Sequence, residues 1–155
     1  MRNALDVGCG EGLWREPLRR ERPHLDYLGL EPSIYAVRRY GERRNIRQGD
    51  ISSLGARGIR GRFDIIICND VLHYVAAPAL RSGMRALASR LRGVAYLGLF
   101  TSADDIEGDL DGYLKRSPTF YRSAFEQAGL RSVGMHCWIP EPLSHDRAAL
   151  ELSGA

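Results

Sequence analysis

Lysine is nearly absent from this sequence: of 22 basic residues 21 are arginine and only Lys115 is lysine. The bias reads as codon preference rather than arginine-rich recognition. The formal net charge is only +3, and a phosphate-binding surface usually shows a larger, clustered excess. A nucleic-acid partner is therefore disfavoured. Cysteine is also scarce, and Cys9, Cys68 and Cys137 share no metal-ligand or redox spacing. Their odd number argues against a disulfide framework, so no metal centre is expected and a reducing cytoplasm is the expected compartment. No window approaches 18 uninterrupted apolar residues, and the start Met1-Arg-Asn-Ala-Leu-Asp6 reaches charge at once. Neither a membrane span nor an export signal is expected from such a pattern. Repeats and low-complexity tracts are missing as well. At 155 residues the chain falls below the roughly 250 at which cores divide, so one domain is expected over residues 1–155. Its 44% hydrophobic and 26% charged content excludes disorder and fibrous classes.

What the chain does carry is a regular alternation of short apolar runs with helical patterns, the signature of βα units around a parallel sheet. Strands are expected at Ala4 to Gly8, Tyr27 to Glu31, Ile46 to Asp50, Phe63 to Asp70, Val94 to Phe100 and Val133 to Ile139. Four consecutive apolar residues in Phe63-Asp-Ile-Ile-Ile-Cys-Asn-Asp70 mark a central strand buried on both faces. Helices are expected from Leu13 to Glu21, from Pro32-Ser33 to about Arg43, from Pro78 until Gly93 stops it, and from the Ser117-Pro118 cap to Gly129. The glycine-rich stretch around Gly55, Gly58 and Gly61 reads as loop. Residues 147–152 suit a last strand or a helix equally.

Chemistry concentrates where strands end. Asp6-Val-Gly-Cys-Gly-Glu-Gly12 joins the first strand to the first helix, and glycines at 8, 10 and 12 let a ligand approach the backbone. Unpaired N–H groups at the helix start are expected to face that ligand. The spacing is G-x-G-x-G, whereas the dinucleotide fingerprint needs G-x-G-x-x-G. Glu31 closes the second strand, where a carboxylate can accept ribose hydroxyls, and Asp50 closes the third.

These residues resemble the class I S-adenosylmethionine-dependent methyltransferases over nearly the whole chain. Asp6-Val-Gly-Cys-Gly-Glu-Gly12 looks like the family's first motif, around the methionine portion and ribose of the cofactor. Glu31, followed by Pro32, matches the acid that grips the ribose hydroxyls, and Gly49-Asp50-Ile51 matches the segment beside adenine. Phe63-Asp64 through Asn69-Asp-Val-Leu-His-Tyr-Val75 is similar to the fourth motif, whose exit lines the methyl-transfer site. Tyr121 to Leu130 resembles the late helix and turn of many small-molecule members. The resemblance implies a Rossmann-like, doubly wound α/β sheet of seven strands, mostly parallel with an antiparallel last strand that the C-terminal segment would supply. It implies binding of S-adenosyl-L-methionine, with S-adenosyl-L-homocysteine as product. Implied cofactor-binding residues are Asp6, Gly8, Cys9, Gly10, Gly12, Glu31, Pro32, Asp50, Ile51, Asn69 and Asp70. The first strand begins close to Met1, so the helical segment that usually precedes it is expected to be missing; a misplaced start, a trimmed chain and another subunit that completes the pocket, a homo-oligomer among them, all stand open.

Methyl transfer from a sulfonium is an in-line displacement that rests largely on near-attack geometry in a dry site. His73, Asp70 and Tyr74 leave the fourth strand at the correct edge to serve as base or to position an acceptor. Trp14 reads as packing beneath the first helix or else as shielding the methionine portion of the cofactor, and Cys9 as a small filler. The acidic run Thr101 to Gly112 holds five acids and no base, and it suggests a cationic acceptor or else a solvated loop. Arg38, Arg39, Arg43, Arg44 and Arg47 read as a solvated helix face. The expected function is methyl transfer to a small-molecule acceptor. A nicotinamide-dependent oxidoreductase and a non-catalytic methyltransferase-like subunit stand as alternatives. Charge is asymmetric, +5 over residues 1–62 and −2 over residues 63–155.

Overall fold

A computed structural model describes residues 1–55, 59–108 and 111–146 of the chain. The run 147–152, read above as strand or helix, lies outside them. The strands are β1 (Asn3–Val7), β2 (Asp26–Glu31), β3 (Ile46–Gln48), β4 (Phe63–Asn69), β5 (Leu91–Gly98), β6 (Leu130–Gly134) and β7 (Cys137–Pro140). They form one sheet in the order β3-β2-β1-β4-β5-β7-β6. The pairs β1–β2, β1–β4, β2–β3 and β4–β5 are parallel, and β7 runs against both β5 and β6. The fold is thus α/β and Rossmann-like, with an antiparallel last strand. Because β6 points the same way as β5, six strand exits share one edge, which is where such sheets bind ligands.

Alternation along β1 divides the interior. Leu5 and Val7 join a large core with Leu80, Met84 and Leu87 of α3 (Ala77–Arg90) and with Tyr121 and Phe125 of α4 (Pro118–Gln127). Ala4 instead joins a small cluster with Leu25 and Tyr27, against which Leu18 of α1 (Arg15–Glu21) packs. The remaining helix, α2 (Ile34–Arg44), is capped by the Ser33 hydroxyl, which accepts from the Ala36 N–H, and ends at Asn45 in a left-handed conformation.

Three local expectations need correction. Gly93 does not stop α3: the helix ends at Arg90, and Leu91 already pairs with Phe63 in β5. Gly93 sits at an irregularity between β4 and β5, where a Cβ would lie 2.2 Å from the Asp64 carbonyl oxygen. The run from Val133 to Ile139 is not one strand but a hairpin, with Met135 and His136 both at positive φ (51° and 61°) in its turn. Such turns favour Asn-Gly, so Met-His carried no signal. The antiparallel strand is therefore β7, complete before residue 147. Among the described residues no helix is long and apolar enough to cross a membrane.

Candidate cofactor and acceptor site

A cleft of about 480 Å³ opens on the carboxyl edge between the exits of β1, β2, β3 and β4, within the usual range of small-molecule sites. Of the residues proposed from sequence, Gly8, Glu31, Pro32, Asp50, Ile51, Asp70 and Tyr74 line it. Val71, Val75, Ser52 and Ala79 line it too and were not anticipated. Ser52 had a signal, since an Asp two residues before it can accept from its backbone N–H in a side-chain turn. Val71 had none: it fits the space that the missing side chain of Gly8 leaves, with its Cγ2 2.2 Å from where a Cβ would sit.

The glycine loop is held by its own neighbours. The N–H groups of Gly8 and Cys9 both donate to the Leu30 carbonyl (2.7 and 3.0 Å), and Gly12 N–H donates to the Cys9 carbonyl (2.7 Å). Gly10 N–H donates to Glu31 Oε2 at 2.8 Å. These four donors are therefore taken by the loop itself and by the end of β2; the expectation of unpaired N–H groups concerned the helix start at Arg15, which these bonds do not involve. Glu31 is nearly buried, and its other oxygen accepts from the Ser33 N–H at 2.9 Å. One carboxylate thus ties the glycine loop to the start of α2.

Asp6 lies behind the loop rather than in the cleft. Tyr27 Oη donates to its Oδ2 at 2.6 Å, and burial, with Glu31 nearby, raises its carboxyl from 3.8 to about 6 despite that bond. Cys9 is buried with its sulfur over Gly29, where a Cβ would come within 2.6 Å. Burial first, then Asp6 and Glu31, push its thiol up to about 12, so the filler role holds and a thiolate nucleophile does not form near neutrality. Asp50 accepts through Oδ1 from the Ser52 and Ser53 N–H groups (2.9 and 3.0 Å), which caps the 3-10 turn Ile51–Gly55. The Ser52 hydroxyl leads the bonds that hold this carboxylate below its usual range. Ile51 is buried beneath the same wall.

At the far end, Asp70 takes a left-handed conformation (φ 57°), and its N–H extends the ladder to the Gly98 carbonyl at 2.9 Å. Asn69 Nδ2 donates to Asp70 Oδ2 at 2.7 Å, while the Asn69 amide oxygen lies over Gly98 and does not line the cleft. Tyr74 is 48% exposed at the mouth, whereas His73 is 1% exposed and turned away from the cleft. Trp14 does not pack beneath α1: it is partly exposed, with its ring 5.8 Å from that of Tyr96 on β5.

Among the described residues neither charged surface feature lines the cleft, although Gly112 at the end of the acidic run lies beside Tyr74 at its mouth. Asp104 is spent on the N–H and hydroxyl of Thr101 (2.7 and 2.8 Å), and with Asp105 it borders a shallow depression shared with Lys115. On α2, Arg39 and Arg44 lie over the Tyr40 ring at 5.6 and 4.8 Å, and Arg44 also pairs with Glu11. No group of three or more His, Cys, Asp or Glu among the described residues is placed to hold a metal ion.

The site as a whole is a cleft walled by the carboxylates of Glu31, Asp50 and Asp70, with Asp6 just behind. Its carboxylate oxygens are acceptors for hydroxyl donors.

The chain matches the family described as "Methyltransferase domain" over residues 2–143. It is 28% identical over 147 residues to a ubiquinone biosynthesis O-methyltransferase of Xylella fastidiosa, covering 85% of this chain and 60% of that protein. The chain thus spans less than two thirds of that relative. Among solved structures it is similar to DesVI of Streptomyces venezuelae (TM-score 0.68, 18% identity, 90% of this chain and 84% of that one). It is also similar to an O-methyltransferase from a trans-AT PKS multienzyme of Brevibacillus brevis in complex with S-adenosyl-L-homocysteine. That match has a TM-score of 0.66 and 15% identity, over 83% of this chain and 46% of that one.

Proposed function

The chain belongs to the methyltransferase-domain family, and from that premise we propose that it binds S-adenosylmethionine and methylates a small-molecule acceptor. The observation that carries this reading is the spent glycine loop beside a carboxylate wall. A pyrophosphate is bound by free N–H donors, and the N–H groups of Gly8, Cys9, Gly10 and Gly12 are already taken. A ribose with two hydroxyls and a sulfonium suits the same wall.

The residues fit the cofactor in these terms. Glu31, braced by Gly10 and Ser33, is preorganised to accept ribose hydroxyls. Asp50, Ile51 and Ser52 would form the wall for the adenine, and the backbone at Gly8 would flank the methionine portion. When bound, S-adenosylmethionine supplies an activated methyl on a cationic sulfur. The chain's own task is then to orient the acceptor and exclude water. Asp70 and Tyr74, between the cofactor wall and the mouth, are the groups we assign to the acceptor, with Asp70 accepting a proton from an acidic acceptor group. His73, turned away, is not assigned as base. The likeness to a ubiquinone biosynthesis O-methyltransferase supports a small molecule as acceptor.

Asp70→Asn tests the assignment cleanly, because asparagine also tolerates the left-handed backbone that Asp70 adopts. Formation of S-adenosylhomocysteine, followed by mass spectrometry over a panel of small hydroxylated and amine acceptors, should reveal turnover in the wild type. With the best acceptor, the variant should lose about 10²-fold in kcat while holding affinity for S-adenosylhomocysteine within about threefold. An unchanged kcat would remove Asp70 from the mechanism, and no turnover with any acceptor would count against the activity.

A further inference from the structure

We propose that His73 is a positioning residue that clasps the acceptor side of the cleft, through an imidazole that must be neutral to do so; "acceptor side" rests on the methyl-transfer reading, the clasp itself does not. His73 sits in the 3-10 turn Leu72–Tyr74 and is almost fully buried, yet it joins three separate stretches of chain. Its Nδ1 accepts the Phe100 N–H at 3.2 Å, just beyond the exit of β5. Its carbonyl accepts the Leu114 N–H at 2.9 Å, from the run that leads into α4. Its ring meets those of Tyr74, Phe100 and Tyr113 at 4.3, 5.5 and 5.5 Å.

Two further bonds knit the same stretches. Arg116 Nη1 donates to the Val75 carbonyl at 2.8 Å, and Ser102 N–H donates to the Arg116 carbonyl at 2.7 Å. Tyr74 and Val75, the two residues after His73, line the cleft. The histidine therefore sets where the mouth of the cleft stands relative to the β5 exit, without touching anything bound there.

The Phe100 bond requires a lone pair on Nδ1. A protonated imidazole carries N–H on both nitrogens and can only donate, so protonation turns this contact into two donors facing each other. The groups facing His73 are Asp70 in its own turn and the phenols of Tyr74 and Tyr113; Arg116 is directed at Val75 and the Phe120 ring. Burial lowers the affinity of His73 for a proton, and Asp70 only partly opposes it. The fold thus favours the neutral ring. The clasp is fully present above the ordinary histidine value of 6.5 and is lost as pH falls from there through the lowered value. Asp6 titrates near 6, but it contacts Tyr27 behind the glycine loop.

Amide hydrogen exchange by NMR tests this directly, at about pH 7.5 and about pH 5.5 with correction for the intrinsic rate. In the wild type the Phe100 and Leu114 amides should lose about three- to tenfold more protection at the lower pH than those of Leu80 and Met84 in α3, tenfold being the most that one histidine can give over this interval. In His73→Gln, whose amide oxygen can accept from Phe100 at either pH, this difference should vanish. Protection at Phe100 that ignores pH in the wild type, or the same response in the variant, overturns the proposal. Should His73→Gln fail to fold, the ¹⁵N resonance of His73 Nδ1 decides: an unprotonated acceptor at neutral pH supports the clasp, and a protonated Nδ1 defeats it. Neither readout involves methyl transfer, so the clasp and the proposed activity can fail independently.

Discussion

Glu31→Ala is expected to cost about 100-fold or more in affinity for S-adenosylhomocysteine, with the protein still folded. The substitution removes an acceptor for ribose hydroxyls and also strands the N–H groups of Gly10 and Ser33, which now donate to it at 2.8 and 2.9 Å. Hydrogen bonds to a charged partner contribute about 1.5–3 kcal/mol each, so losing two to the ligand could account for more than the 2.7 kcal/mol that 100-fold represents. Because the stranded N–H groups also weaken the join between glycine loop and α2, the melting temperature should fall as well. Glu31→Gln separates the two effects. Its remaining oxygen can serve one donor, while its amide NH₂ faces the other, so affinity should fall by an intermediate factor of about ten. Isothermal titration of both variants, with circular dichroism confirming the fold, checks the prediction. An affinity within about threefold of the wild type in Glu31→Ala would mean that this carboxylate does not bind the ligand.

The second large effect lies far from the cleft. Gly93→Ala should destabilise the protein by about 3 kcal/mol in urea unfolding, at the upper end of the usual cost of overpacking. An alanine Cβ there would meet the Asp64 carbonyl oxygen at 2.2 Å, and backbone of a central strand cannot turn aside as a side chain can. Asp64 is itself anchored: its carboxylate accepts from the Arg2 and Asn3 N–H groups and from Arg92 Nε, which hold it down to about 2. Gly10→Ala supplies the contrast. Gly10 has positive φ but nothing within 4 Å of a Cβ, so only the left-handed strain of about 1 kcal/mol should be felt. Equal losses at the two positions would show that the contact with Asp64 is not what requires Gly93.

The parts of the molecule legible in the sequence are those governed by neighbours along the chain. The first two strands announced themselves by short apolar runs, the glycine loop by three glycines in five residues, and Glu31 by its place at a strand end. Long-range contacts decided the rest. Gly93 looked like a helix stop because the carbonyl that excludes its side chain belongs to Asp64, on the neighbouring strand. Leu91 fell within the helix expected from Pro78 to Gly93 and is indeed buried, but it is buried as the first residue of β5. The N–H groups of Gly8, Cys9 and Gly10 looked available because their acceptors, Leu30 and Glu31, are brought beside them only by strand pairing. His73 drew notice as a base since it leaves a central strand beside Asp70; its burial against Phe100 and Tyr113 depends on a run some 25 to 40 residues later. Composition and spacing carry none of that information.

The central claim is that this carboxylate-walled cleft, with its glycine-loop donors already spent, takes S-adenosylmethionine and its product and not a dinucleotide. Isothermal titration of the wild-type chain with S-adenosylhomocysteine and, separately, with NAD tests it most directly. The account predicts saturable one-to-one binding of S-adenosylhomocysteine and no measurable heat from NAD. Saturable binding of NAD with none of S-adenosylhomocysteine would contradict it.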